Sequence, residues 1–187
     1  MPNRLKVPFD KVSDKGKTIT VRFAPEPSGY LHIGHTKPIF LNDTIRQDFN
    51  GKFIVRFDDT NPKKESDDFE NSIRDDITTL GINIDEITHT SDYFDIILQR
   101  VIQLIQNGNA YMDCTPANEM KELRSQKTPS QYRNSSVESN MTIFNNFVKD
   151  NTSIWCVRAK ISYDNTNACL RDPVIMRSCS DPHIKLG

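Results

Sequence analysis

The order of apolar and polar positions divides the chain into two textures. Thr18-Ile19-Thr20-Val21-Arg22-Phe23-Ala24 alternates with period two and is rich in β-branched residues, which predicts a strand. Pro25-Glu26-Pro27-Ser28-Gly29 must then be loop. A helix is expected over about 34–49, with Ile39, Leu41, Ile45 and Phe49 on its apolar face. Pro38 is placed in its first turn, because a deeper position would cost ~3 kcal/mol. Lys52-Phe53-Ile54-Val55-Arg56-Phe57 reads as a second strand. Phe69, Ile73, Ile77 and Leu80 mark one face of a helix over about 64–80, with Gly81 as the residue just past its end. A further helix starts after the candidate cap Ser91, buries Phe94, Ile97, Leu98, Val101, Leu104 and Ile105, and stops at Gly108. A short strand, Ala110-Tyr111-Met112-Asp113, follows.

From about Thr115 the texture changes. A charged helix over about 116–126, a polar loop over 127–134 and a helix over 136–149 precede short strands at 154–161 and 169–171, which flank an Asp164-Asn165 turn. Strand–helix–strand order with crossovers of this length predicts parallel strands and right-handed connections in the first part. The expected fold is therefore α/β: the first half of a Rossmann-like parallel-sheet nucleotide-binding domain, plus part of an α+β insertion. The boundaries expected are a lead-in over 1–17, the parallel-sheet region over 18–113 and the insertion over 114–187.

Composition narrows the class. In 187 residues, 36% are hydrophobic and 26% charged, which suits a folded chain rather than a disordered tail. The net charge of −1 removes a domain-wide basic excess as an argument for nucleic-acid binding, but leaves room for local patches. No apolar run approaches the ~20 residues of a membrane span, and the N-terminus lacks a secretory apolar core, so a cytoplasmic protein is expected. Cys114, Cys156, Cys169 and Cys179 form no C-x₂₋₄-C pair and are read as core or neutral positions.

The chemistry concentrates in Arg22-Phe23-Ala24-Pro25-Glu26-Pro27-Ser28-Gly29-Tyr30-Leu31-His32-Ile33-Gly34-His35. This stretch runs from the end of a strand to the start of a helix, where open α/β sheets bind ligands and helix N–H groups receive phosphate. Two imidazoles at i and i+3 can both donate to phosphoryl oxygens. Taken alone, they could equally be a metal half-site, a helix cap or surface histidines.

His32-Ile33-Gly34-His35 is the HIGH signature, and the blocks around it resemble class I aminoacyl-tRNA synthetases of the glutamyl/glutaminyl subgroup, eukaryotic and archaeal type. The matching blocks occur in order: Arg22 to Lys37, Arg56-Phe57-Asp58-Asp59-Thr60-Asn61-Pro62, Ser91-Asp92-Tyr93-Phe94, Arg158-Ala159-Lys160-Ile161 and Leu170-Arg171-Asp172-Pro173-Val174. Pro38 and Ser162 depart from the pattern, and the lysine-loop signature of the family is absent.

The resemblance implies activation of an amino acid by ATP, with Mg²⁺ accompanying the nucleotide, then transfer to the terminal adenosine of tRNA. It assigns His32 and His35 to the transferring phosphate, and His32, Gly34, His35 and Lys37 to ATP. Arg22 would meet the substrate's side-chain carboxylate, Asp58 its α-ammonium, and Ala24 and Glu26 would complete the amino-acid pocket. Arg158, Lys160 and Arg171 are the expected tRNA acceptor contacts, and no protein metal site is expected. Ser28 and the short junction at Cys114-Thr115-Pro116 favour glutamate, hence tRNA(Glu), over glutamine. Glutaminyl-tRNA synthetase and a non-catalytic tRNA- or nucleotide-binding module stay open as alternatives. A chain that stops at Gly187 is expected not to aminoacylate tRNA unaided, and any multi-synthetase assembly would run through regions outside it. The −5 charge of residues 58–76 (eight acids, three bases) reads as a solvated helix face, and the +2 charge of 118–133 and of 155–187 as mild basic patches.

Overall fold

The computed structural model describes residues 18–186, so the lead-in expected over 1–17 lies outside the described residues. The chain divides into two compact units between Asp92 and Tyr93, ahead of the 113/114 boundary expected above.

In the first unit the elements are β1 (Thr20–Phe23), α1 (Ile33–Asp48), β2 (Lys52–Phe57), α2 (Asp67–Thr79) and β3 (Glu86–His89). The strands form one parallel sheet in the order β1-β2-β3, as strand–helix–strand connections require. Alternation puts Val21 and Phe23 of β1, and Phe53, Val55 and Phe57 of β2, on one buried face. Ile39 from α1 and Ile73 and Ile77 from α2 close that face into a core.

Gly51 makes the turn into β2 possible. A β-carbon there would stand 2.4 Å from the Ile19 carbonyl oxygen, which also accepts a hydrogen bond from the Lys52 N–H at 2.8 Å. Ser66 caps α2 through the Phe69 N–H, three acids occupy its first turn, and Gly81 follows it at φ 75°.

Three expectations for this unit are corrected. Helix α1 starts at Ile33, which makes Pro38 its sixth residue rather than a first-turn one. The helix there forgoes the N–H that would have met the Gly34 carbonyl. Strand β3 was not expected, because an end strand of four residues with Ile87 as its one aliphatic side chain carries little pattern. Ser91 does not cap a helix. It opens a 3-10 turn, Ser91–Tyr93, and its hydroxyl donates to Asp59 instead.

The second unit contains α3 (Phe94–Gln106), β4 (Ala110–Asp113), α4 (Ala117–Ser125), α5 (Val137–Phe147), β5 (Cys156–Ala159) and β6 (Val174–Arg177). The three strands form an antiparallel sheet in the order β4-β5-β6. Strand β4 therefore belongs with β5 and not with the first sheet, and this is why the division of the chain precedes Asp113. Val101 and Ile105 of α3, Phe144 and Phe147 of α5, and Met112 and Val157 of the sheet form the core. Leu104, expected on the buried stripe of α3, is exposed, and Ile102 packs in its place. Residues 169–171, expected as a strand, lie instead at a 3-10 turn, Ala168–Leu170, with an isolated bridge from Arg171 to Ser162. Strand β6 was not foreseen.

The four cysteines are free thiols. Burial raises the Cys156 thiol to about 11, as expected of a core position. No helix among the described residues is long and apolar enough to cross a membrane.

Candidate functional site

The loops that follow β1 and β2 are joined at the C-terminal edge of the parallel sheet. The Asp58 N–H donates to the Pro25 carbonyl at 2.9 Å and the Ser66 N–H to the Pro27 carbonyl at 3.2 Å. Tyr30 meets Phe69 edge-on at 5.0 Å between centroids, which ties the first loop to the start of α2 as well. Asn61 donates its N–H to Glu65 Oε1, which tightens the second loop on itself. The segment from Ala24 to His32 is thus fixed by its neighbour as well as by its own prolines.

Two imidazoles start α1. His32 is the N-cap: its Nδ1 accepts from the Gly34 N–H at 3.1 Å, and the Nδ1 of His35 accepts from the His32 N–H at 3.1 Å. This is a reciprocal capping box with imidazoles in both positions. Helix capping, weighed above as an alternative to chemistry, is realised, but it uses only one nitrogen of each ring. A neutral imidazole that accepts at Nδ1 carries its proton at Nε2, so each ring retains one N–H donor beyond the cap. The two rings lie 4.0 Å apart between centroids. Burial and then the nearby His32 ring lower the His35 pKa, which favours the neutral donor form.

Gly34 has a structural reason as well as the place beside ATP that the resemblance implies. A β-carbon there would come within 2.8 Å of His32 Cε1 and 3.0 Å of its Nδ1. The residue leaves room for the ring that caps it.

Around the imidazoles, Arg22 lies on the exposed side of β1, opposite Val21 and Phe23. Among the described residues its guanidinium has no ion pair or hydrogen bond, so it can take a ligand's carboxylate without giving up an existing partner. Ala24 and Glu26 are exposed in the loop, and Lys37 is exposed on α1. Asp58 is exposed just past β2, and Asp59 is buried at 3% exposure. Asp59 accepts from the Ser91 N–H at 3.0 Å and from the Ser91 hydroxyl at 2.6 Å, so it fixes the start of the 3-10 turn. Thr90 was missed from sequence, and Ser91 was read there as a helix cap rather than as the partner of Asp59. The signal was the polar run His89-Thr90-Ser91-Asp92 directly after an edge strand.

In the second unit the expected cations part company. Arg158 is 3% exposed and pairs with Asp113 at 2.8 Å, while its Nε donates to the Asp172 carbonyl. Asp113 responds to two opposed effects: burial raises its pKa, but hydrogen bonds from Thr115 and Arg158 outweigh it and hold the carboxyl below the ordinary range. Arg158, expected as a tRNA contact, is thus placed by the structure in a core ion pair. Arg171 donates to the carbonyls of Asn165, Thr166 and Arg124, and Arg124 donates in return to the carbonyls of Arg171 and Ala168. Lys160 is half-buried, and its ammonium meets no carboxylate among the described residues. A groove of about 560 Å³ gathers Lys121, Arg124, Arg171 and Arg177 over Met120 and Pro173, with no acid in its lining. Lys121 and Arg177 were expected only as members of the two mild basic patches, not as named contacts.

The comparisons agree with one another. The family description "tRNA synthetases class I (E and Q), catalytic domain" matches residues 18–185. The chain is 45% identical over 99% of its length to a mouse (Mus musculus) bifunctional glutamate/proline–tRNA ligase, of which it spans 13%. It is 48% identical over 92% of its length to a cytoplasmic glutamate–tRNA ligase of Saccharomyces cerevisiae, of which it spans 25%. A glutamate–tRNA synthetase structure from Elizabethkingia anophelis shares the fold with a TM-score of 0.66 at 20% identity, over 87% of this chain and 39% of that one. With the matched span covering both units, this chain belongs to the class I (E and Q) tRNA synthetases, within their catalytic domain.

Proposed function

We propose that this chain is the part of a cytoplasmic glutamate–tRNA ligase that activates glutamate and receives the tRNA acceptor end. The observation that carries the reading is the pair of imidazoles at the C-terminal edge of a parallel sheet, each with Nδ1 tied to backbone and Nε2–H left to donate. The curated relatives named above support glutamate and the cytoplasm, since their names say so.

Activation is in-line attack by a carboxylate oxygen of glutamate on the α-phosphorus of ATP. A C–O–P bond forms, the bond from Pα to the bridging oxygen breaks, and pyrophosphate leaves with the electron pair. No proton needs to be removed, because the attacking group is already a carboxylate. Catalysis is then a matter of position and charge. His32 and His35 offer Nε2–H donors to oxygens on which charge builds, and the first turn of α1 adds its dipole. Arg22 takes the side-chain carboxylate by bidentate pairing, Asp58 the α-ammonium, Ala24 and Glu26 line the amino-acid pocket, and Lys37 reaches a phosphate. Among the described residues no group of three or more His, Cys, Asp or Glu could hold a metal ion. Mg²⁺ would accompany ATP as part of the nucleotide substrate, and no step is routed through it.

The tRNA acceptor end would meet Lys160 and the groove edged by Lys121, Arg171 and Arg177, through phosphate contacts that position rather than read bases. The test is ATP–pyrophosphate exchange by the complete gene product with tRNA present, with glutamate against glutamine and Arg22→Ala as the control. Exchange that favours glutamate and collapses in Arg22→Ala is expected. Exchange that favours glutamine, or is untouched by Arg22→Ala, would overturn the assignment of the pocket.

A further inference from the structure

Asp58 does not stand alone at the end of β2. The Thr90 hydroxyl lies 3.3 Å from Asp58 Oδ1 and 3.3 Å from the Phe57 carbonyl, and the Thr90 N–H donates to that same carbonyl at 3.0 Å. Thr90 is therefore held in place by the continuing β2–β3 ladder while its side chain reaches the carboxylate.

The residues on either side of Thr90 are held as well. Ser91 is clamped to buried Asp59 by two hydrogen bonds. The His89 N–H donates to Asp92 Oδ2 at 2.7 Å, its Nε2 meets Glu70 Oε1 of α2 at 3.0 Å, and its ring stacks on Phe57 at 5.4 Å. A side chain on an exposed loop would ordinarily sample several rotamers. This one rises from a segment in which each neighbour is fixed by a partner outside the loop.

We infer that Thr90 is a positioning residue for amino-acid recognition: its hydroxyl fixes the rotamer of Asp58, which then presents its second oxygen to the substrate's α-ammonium. The inference rests on the proposed role of Asp58 in glutamate activation and adds to it the residue through which that role is set. A carboxylate is a better acceptor than an amide carbonyl, so the single Thr90 proton goes to Asp58 when that group is ionised. The hydroxyl leaves one Asp58 oxygen free, where an arginine would occupy both.

The test uses the complete gene product and two sulfamoyl-adenosine mimics of glutamyl-adenylate, one with the α-amino group and one without it, measured by calorimetry. Thr90→Val removes the hydroxyl at nearly constant shape, Thr90→Ala repeats the deletion with less bulk, and Thr90→Ser restores the donor. The expected result is about five- to tenfold weaker binding of the amine-bearing mimic to Thr90→Val or Thr90→Ala, the scale of one ordinary hydrogen bond, as befits a 3.3 Å contact. Binding of the des-amino mimic and of ATP should be unchanged, and Thr90→Ser should bind as the unmodified protein does. Equal losses on both mimics, no loss in either hydroxyl deletion, or failure of Thr90→Ser to rescue would overturn the inference. If the unmodified protein bound neither mimic, the functional reading itself would fall, which is a different outcome.

Discussion

Gly34→Ala separates the two duties of the first turn of α1. The added β-carbon would stand 2.8 Å from His32 Cε1 and 3.0 Å from Nδ1, well inside van der Waals contact, so the His32 ring must swing away. That movement breaks the bond from the Gly34 N–H to Nδ1, a capping interaction worth ~1 kcal/mol. Alanine in place of glycine in a helix returns a similar amount, about 0.8–1 kcal/mol. The two nearly cancel, and Tm should move by only a few degrees. Catalysis has no such compensation. One oriented donor is lost from the transferring phosphate, which costs about 10²–10³ in rate. The assays are thermal melting and ATP–pyrophosphate exchange on the complete gene product, with ¹⁵N shifts of the imidazoles in the ligand-free protein. The shifts locate the cause, because a mere clash with nucleotide would leave the free imidazole unchanged. Exchange at the original rate, or a His32 ring with unaltered ¹⁵N shifts, would refute the reasoning.

Other substitutions probe the same points. His32→Asn keeps an oxygen that can cap the Gly34 N–H but removes the Nε2 donor, so melting should hold within a few degrees while exchange falls about 10²–10³-fold. Gly51→Ala forces a β-carbon against the Ile19 carbonyl and should cost roughly 1–3 kcal/mol by denaturant unfolding, with no rescue by a flexible side chain. Arg158→Met leaves Asp113 buried and unpaired, and a loss of about 3–5 kcal/mol is expected by the same measurement, with tRNA affinity of the folded fraction unchanged. His35 has its folded pKa lowered below the ordinary 6.5. The unfolded chain then binds more protons as pH falls below that value, so His35's stabilising contribution is full above it and is lost as pH drops through the folded pKa. Melting from pH 7.5 down to 5 should show this loss, and His35→Gln should flatten it.

Sequence patterning was most informative where burial alternated cleanly. Lys52–Phe57 was read from end to end because Phe53, Val55 and Phe57 are each fully buried and the residues between them are not. The end strands β3 and β6 were missed, since each is four residues long and one side of each has no strand to shape its pattern. Strand β4 was found but assigned to the wrong sheet: all four of its residues are buried, and a fully buried strand does not tell its pairing direction. The first sheet has its parallel direction dictated by crossover helices, whereas nothing local to Ala110–Asp113 announces that its partner lies past residue 150.

The candidate site was legible in position and only partly in role. His32 and His35 stand out because a strand-to-helix loop concentrates unusual residues, while Arg22 and Asp58 were named through the resemblance; the structure places all four in or beside the β1–α1 and β2–α2 connections at the C-terminal edge of one sheet. What composition could not reveal is how each charge is spent. Arg158 and Arg171 count equally in a +2 patch, yet one guanidinium neutralises Asp113 in the core and the other is taken up by three carbonyls. A guanidinium bound only to carbonyls keeps its net charge, because carbonyls accept hydrogen bonds without supplying a counter-ion. Arg124 and Arg171 are locked together in this way, and Lys121 and Arg177 stand in the same groove. Four cations gathered without an acid repel one another, and a bound anion would relieve that repulsion. The groove therefore presents more uncompensated positive charge than the net charge of its segment suggests, while the charge of buried Arg158 is matched by Asp113.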